Sequence, residues 1–377
     1  MGEKPFSEIP TIPAPRNPFE VREDEPKVFA VSIPKNEKQP NEDSILELVD
    51  PDGNGVTALV ADGLGGYPGG EVASAIVRDV VAKTNDEFRR IQKNRLEVRD
   101  VAAGLEKEME LMKKLVRMIH AQVVVQRDAQ PEHAHMASTG VITRSVKMLD
   151  KRWMVVGASV GDSRAYIQQT DGRLDALTLD SHPLLHQTRD IIGVGQEGAL
   201  RIQSTLDELE SSQQFDYLLS VLEKDAVWPE YIAILREDVE YLRDIVGVKL
   251  VKEYFDGDEA IGQRKHSFYY RNMVVSSFGY SPRADFFEAE LPPGTKLVLA
   301  SDGVEGLTRQ EQAAVLRGDM EAYMGIDLVL AHEASSGGNS AERLAFAGVA
   351  RADYSSISPR TKGKDDISVI VIEIPKR

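Results

Sequence analysis

The chain has 377 residues, with 61 acidic side chains against 45 Lys and Arg, a net charge of −16 and no cysteine. That balance argues against a general binder of nucleic acid or of anionic membrane surfaces, since both need a positive field, and it suits a protein that collects cations. The missing cysteines exclude a disulfide scaffold, cysteine zinc sites and thiol catalysis together.

The first 26 residues hold six of the 18 prolines and read as an extended arm. From Val28 short β-rich runs alternate with long helical patterns. Strands are predicted at Val28–Ile33, Ser44–Val49 and Val56–Val60. A helix follows from Gly70, with Val72, Ala73, Ile76, Val80 and Val81 on one face. A second carries Val98, Val101, Leu105, Met109, Met112, Leu115 and Ile119 at helical spacing. Three strands come next, at Val141–Val146, Met154–Ser159 and Ala165–Gln168. Residues 185–267 read as an all-helical block. Thr205 and Glu208 resemble a capping box, and Ile232, Leu235, Val239, Leu242 and Val246 share one face. Strand patterns return at Met273–Ser277, Phe286–Leu291, Lys296–Ala300 and Ile367–Ile374, with helices expected over Arg309–Leu330 and Ala341–Val349. Strands in runs rather than strict βαβ alternation point to an α+β fold of packed sheets covered by helices. No apolar run approaches the roughly 18 to 20 residues of a membrane span. With no leader-like N-terminus either, the cytoplasm is the expected location.

One pattern recurs three times: an apolar strand runs into an Asp beside a small residue. It stands at Ala58–Gly63, at Ala158–Ser163 and at Leu297–Gly303, bringing Asp62, Asp162 and Asp302 to strand ends. Taken singly, each reads first as a turn, because Asp and Gly both favour turns. Glu42 and Asp43 precede one further strand, and Asp365 and Asp366 another. Acids at several strand ends can converge above a sheet. Two bare carboxylates about 5 Å apart repel by roughly 3 kcal/mol at an effective dielectric near 20, so such a cluster wants a cation. Oxygen-only ligation favours Mg²⁺ or Mn²⁺ over zinc, and paired hard cations most often hydrolyse phosphate esters.

Six segments, in order, resemble the metal-dependent protein phosphatase family, type 2C, in its bacterial branch. They are Asn41-Glu42-Asp43-Ser44, Asp62-Gly63-Leu64-Gly65-Gly66 through Ser74, Ser138-Thr139-Gly140, Gly161-Asp162-Ser163-Arg164, Leu299–Gly303 and Asp365–Val369. The resemblance implies a central antiparallel β-sandwich flanked by helices in four layers, spanning 27–377 and interrupted in its flap region by the 185–267 block. It implies a protein Ser/Thr phosphatase acting in signalling, with phosphorylated proteins as substrates and an opposing kinase. Two core Mn²⁺ or Mg²⁺ ions are implied, with a third, weaker site. Asp62 would bridge the two core ions, with the Gly63 carbonyl on one, while Asp302 and Asp365 would hold the other. Glu42 and Asp43 would act through water, and Asp162 would serve the third site. A hydroxide between the core ions would attack phosphorus in line.

The chain departs from the family at several positions. Lys38 stands five residues before Asp43, where an Arg usually grips phosphate, and loses the bidentate fork. Leu64 replaces a His of many eukaryotic members, Asp366 an Asn, and Gly306 a further acid. Two other readings stay open. One is a pseudophosphatase that binds without turnover; the other is a phosphatase of small phosphate esters. His133 and His135, at i and i+2 without a third ligand, read as ordinary residues.

Overall fold

The computed structural model describes residues 24–35, 39–65, 68–98, 101–181, 276–304, 307, 309–318, 339–355 and 365–376, with positions 200 and 203. The 1–26 arm up to residue 23, Lys38, most of the 185–267 block and most of the Met273–Ser277 strand lie outside them.

Among the described residues, ten strands form two five-stranded sheets whose neighbouring strands all pair antiparallel. One sheet has the order β1 (Lys27–Ile33), β10 (Ile367–Glu373), β9 (Lys296–Ala300), β6 (Arg164–Gln168), β7 (Leu174–Ala176). The other runs β2 (Asp43–Val49), β3 (Gly55–Asp62), β4 (Gly140–Lys147), β5 (Trp153–Val160), β8 (Asp285–Leu291). Helices α1 (Gly70–Val98) and α2 (Val101–Ala129) cover the second sheet, and α3 (Arg309–Arg317) and α4 (Ser340–Ser355) the first.

Strands buried on both faces make this layering. Along β3, Val56, Ala58 and Val60 point into the core between the sheets, while Leu59 and Ala61 meet Val77, Leu115 and Ile119 of the helices. Along β10, Ile370 and Ile372 fill the same central core. Val369 and Val371 turn the other way, toward Val315 and Leu344. Period-2 alternation thus feeds two cores at once, which is why these strands read as continuous apolar runs. The four-layer α+β architecture is the one expected.

Three elements differ from expectation. The buried stripe of α2 is Glu108, Leu111, Met112, Leu115, Val116, Ile119 and Val123, and the helix continues to Ala129. Val98 ends α1 instead. The helix expected to reach Leu330 stops at Arg317, because Gly318 takes a left-handed conformation (φ 82°) that closes its last turn. β7, only three residues long, carries too short a pattern for sequence periodicity to register.

Candidate active site

The acids of the six segments gather at one end of the sandwich. Asp43 opens β2 and Asp62 closes β3, and the two stand directly opposite each other in the antiparallel ladder. Asp302 follows β9 in a short 3₁₀ turn, and Asp365 and Asp366 immediately precede β10. Asp162 sits between β5 and β6, where the chain crosses from one sheet to the other.

The glycines beside these acids make room rather than merely turn the chain. A Cβ on Gly63 would collide with the Gly70 carbonyl and fall 2.8 Å from the Glu42 carbonyl oxygen. The Gly63 N–H donates to that same Glu42 carbonyl at 3.0 Å, so the strand end and the start of α1 touch backbone to backbone. A Cβ on Gly303 would strike the Asp366 carbonyl, which brings the ends of β9 and β10 into contact. Around Asp62, the Ser138 hydroxyl donates to its carbonyl at 2.9 Å and the Thr139 N–H at 2.8 Å. Asp62 is thereby clamped by the two residues that lead into β4.

Like charges directly opposite one another on a sheet repel. Burial, then the fields of Asp43, Asp302, Asp162 and Asp365, hold the Asp62 carboxyl well above the ordinary range. For Asp43, burial is the main cause of a pKa raised to about 7, with Asp302 and Asp366 adding to it. The hydroxyls of Ser301 and Ser368 pull the other way. Neither makes a hydrogen bond of ordinary geometry to Asp43, and both Asp43 carboxylate oxygens are buried without one. Asp43 binds its proton more tightly folded than unfolded. The cation-free protein therefore has the full benefit of this carboxyl below about pH 4 and loses it as pH rises through about 7. Asp43→Asn is expected to flatten that fall. Thermal melts in chelator between about pH 4 and pH 8 check this, and equal slopes for the two proteins would refute it.

The neighbouring acids divide their work. Asp366 accepts the Lys35 N–H at 2.5 Å on one oxygen and the Glu42 N–H at 2.7 Å on the other. It ties the end of β1 and the start of β2 to β10 and its field acts on Asp43, while the field of Asp365 acts on Asp62. Asp365 Oδ1 in turn accepts the Asp366 N–H at 2.9 Å. Glu42 forms an ion pair with the Lys35 ammonium. Burial alone would lower the Lys35 pKa, but the hydrogen bond to Glu42 and the fields of Glu42, Asp366 and Asp365 outweigh it and raise it. Sequence reasoning passed over Lys35. Its signal was weak: a lone lysine one residue past a Pro, outside every family segment.

Among the described residues, no three acids or histidines stand in a finished ligand set. The fit to a cation is chemical instead. Every donor is oxygen, Asp43 presents two buried acceptors without donors, and burial together with mutual repulsion raises the Asp43 and Asp62 pKa values. Such a group of donors suits a hard divalent ion. His133 and His135 do not join it. The His133 ring packs against Gly69, and His135 meets the Tyr280 hydroxyl at 3.2 Å.

Comparison with known proteins bears on the family and the fold. The pattern of one protein family, Protein phosphatase 2C, matches residues 35–325. No curated protein matches the chain. Among solved structures, the serine/threonine phosphatase of S. agalactiae is 15% identical with a TM-score of 0.51, covering 93% of this chain and 99% of that one. The serine/threonine phosphatase Stp1 from Staphylococcus aureus is 17% identical with a TM-score of 0.50, covering 94% and 99%. At these identities the two structures bear on the fold alone.

Proposed function

Because the chain belongs to the protein phosphatase 2C family, we propose that it is a divalent-cation-dependent phosphatase that hydrolyses phosphoserine and phosphothreonine in other proteins. One observation carries this reading. The buried Asp43 faces Asp62 across β2 and β3, and the fields of Asp302, Asp162 and Asp365 converge on Asp62. Asp62, the Gly63 carbonyl, Asp302 and Asp365 would hold the Mn²⁺ or Mg²⁺ ions, with Glu42 and Asp43 acting through water and Asp162 serving a third position. Bound there, hard cations supply the Lewis acidity and water activation that phosphate-ester hydrolysis needs.

The chain's own residues set the stage for that chemistry. Ser138 and Thr139 fix the Asp62 backbone, so its carboxylate is held by the strand end rather than by a mobile loop. Asp366 uses both oxygens on backbone N–H groups, and Asp365 beside it is the acid assigned to the cation. Phosphate contact is assigned to Lys38, five residues before Asp43. A phosphatase of this class acts against a Ser/Thr kinase, and a cytoplasmic signalling role follows from that pairing.

Turnover of p-nitrophenyl phosphate and of a phosphothreonine peptide, with and without Mn²⁺, tests the reading. Both activities should require the added ion and vanish with chelator. Full activity in excess chelator would overturn cation dependence. Turnover of the small ester alone would point to small phosphate esters as substrates, and none of either to a binding protein.

A further inference from the structure

The charged groups acting most strongly on Asp62 are carboxylates, yet among the described residues a cation, Lys35, is built into the rim of the cluster. Lys35 follows β1 by two residues. Its backbone N–H is anchored on Asp366 Oδ1 at 2.5 Å, which sets where its side chain can reach. From that anchor the ammonium pairs with Glu42, and both side chains are largely covered, at 21% and 15% exposure. The pair borders Gly65 in the loop after Asp62: a Cβ there would lie 3.2 Å from Glu42 Oε2 and 3.9 Å from Lys35 Nζ. Glu42 itself is fixed through its N–H to the second Asp366 oxygen at 2.7 Å. Asp366 therefore holds both partners of the ion pair by their backbones, and the pair is a fixture of the site rather than a chance surface contact.

We propose that the Lys35 ammonium is an internal counter-cation of this carboxylate cluster, which neutralises Glu42 and lowers the affinity of the site for divalent ions. The inference rests on the cation-dependent reading of the same site. Its physical basis is charge. A fixed positive charge at the rim opposes an incoming doubly charged ion and occupies a carboxylate that the ion would otherwise draw on. At the high effective dielectric of a partly solvated rim, one such charge changes divalent binding by about five- to tenfold. The cost to affinity has a counterpart in stability, because the cation offsets carboxylate repulsion when no metal is bound. Lys35 is thus a positioning residue, acting on the ion through Glu42 and through its field.

Calorimetric titration of the full-length protein with Mn²⁺ tests this without reference to activity. Lys35→Met should bind Mn²⁺ about five- to tenfold more tightly than wild type and melt at lower temperature in chelator, whereas Lys35→Arg should match wild type within about twofold. Unchanged or weaker Mn²⁺ binding by Lys35→Met would overturn the proposal. Should that variant fail to fold, Lys35→Gln removes the charge while keeping a donor toward Glu42, with the same tighter binding expected. Failure of both variants to fold would also overturn it, since a rim counter-cation is dispensable for folding. If wild type itself binds no Mn²⁺, the proposed function fails first, and the two failures are told apart.

Discussion

Asp62→Asn is expected to lower turnover by about a thousandfold or more while leaving the protein folded. Loss of a residue that merely orients a metal ligand costs about 10- to 100-fold, so loss of a carboxylate at the centre of the cluster should cost more. The fold should survive because the Asp62 backbone, not its carboxylate, carries the contacts to Ser138, Thr139 and the β2 ladder. Removing one of several mutually repelling charges should even raise the melting temperature in chelator, since burial and four neighbouring acids disfavour the charged Asp62. Steady-state rates at saturating Mn²⁺ and thermal melts in chelator read the two arms. Near-normal turnover with an intact fold would remove Asp62 from the centre of the reaction.

Arg144→Ala should produce the largest loss of stability, about 3–5 kcal/mol, with activity retained in whatever fraction stays folded. Arg144 lies in the middle of β4 and is completely buried. Its guanidinium pairs with Asp50, which is 4% exposed, and donates to Thr57 Oγ1 at 3.2 Å and to Gln92. Arg89 reaches the same Asp50 at 3.0 Å, and the Phe88 ring lies 6.0 Å from the guanidinium carbon. Truncation would leave the Asp50 carboxylate and the Gln92 amide buried with fewer donors and an opening beside Phe88. A substituent on Gly55 would run into both partners, so the strand start is shaped around this pair. The network sits at the turn end of the β2–β3 hairpin, and Asp43 and Asp62 sit at its other end, about 20 Å away at the usual rise per strand residue. A shift of the urea midpoint without a change in the KM of the folded enzyme checks the separation. An unchanged midpoint would show that the buried pair is dispensable.

The sequence was most legible where one physical rule acts alone. Strands such as Gly55–Asp62 and Ile367–Glu373 are dense in β-branched residues, end at acids and need no distant partner to be recognised. The convergence of Asp43, Asp62, Asp302 and Asp365 was readable only through six ordered segments, because nothing local distinguishes a ligand-bearing strand end from a turn. Arg144 was not legible as a buried residue. A charged side chain in an alternating strand looks solvent-facing, and its partners Asp50 and Gln92 lie 94 and 52 residues away. The division between Asp365 and Asp366 was likewise hidden, since it depends on the backbone N–H groups of Lys35 and Glu42 arriving from the far end of the chain. The end of α3 at Gly318 was available in principle. The apolar pattern beyond it outweighed a single glycine.

Asp43 and Asp62 belong to one sheet, Asp302 and Asp365 flank strands of the other, and Asp162 rides the crossing between them. Repulsion among these acids is therefore a force across the seam of the sandwich, pressing its two halves apart at one end only. The Arg144 network, at the far end of β2 and β3, ties that one sheet to α1 and takes no part in the seam. Neutralising the acids relieves that force. Whatever ion or proton settles the charge of these acids therefore also sets how firmly the two sheets are held together at that end.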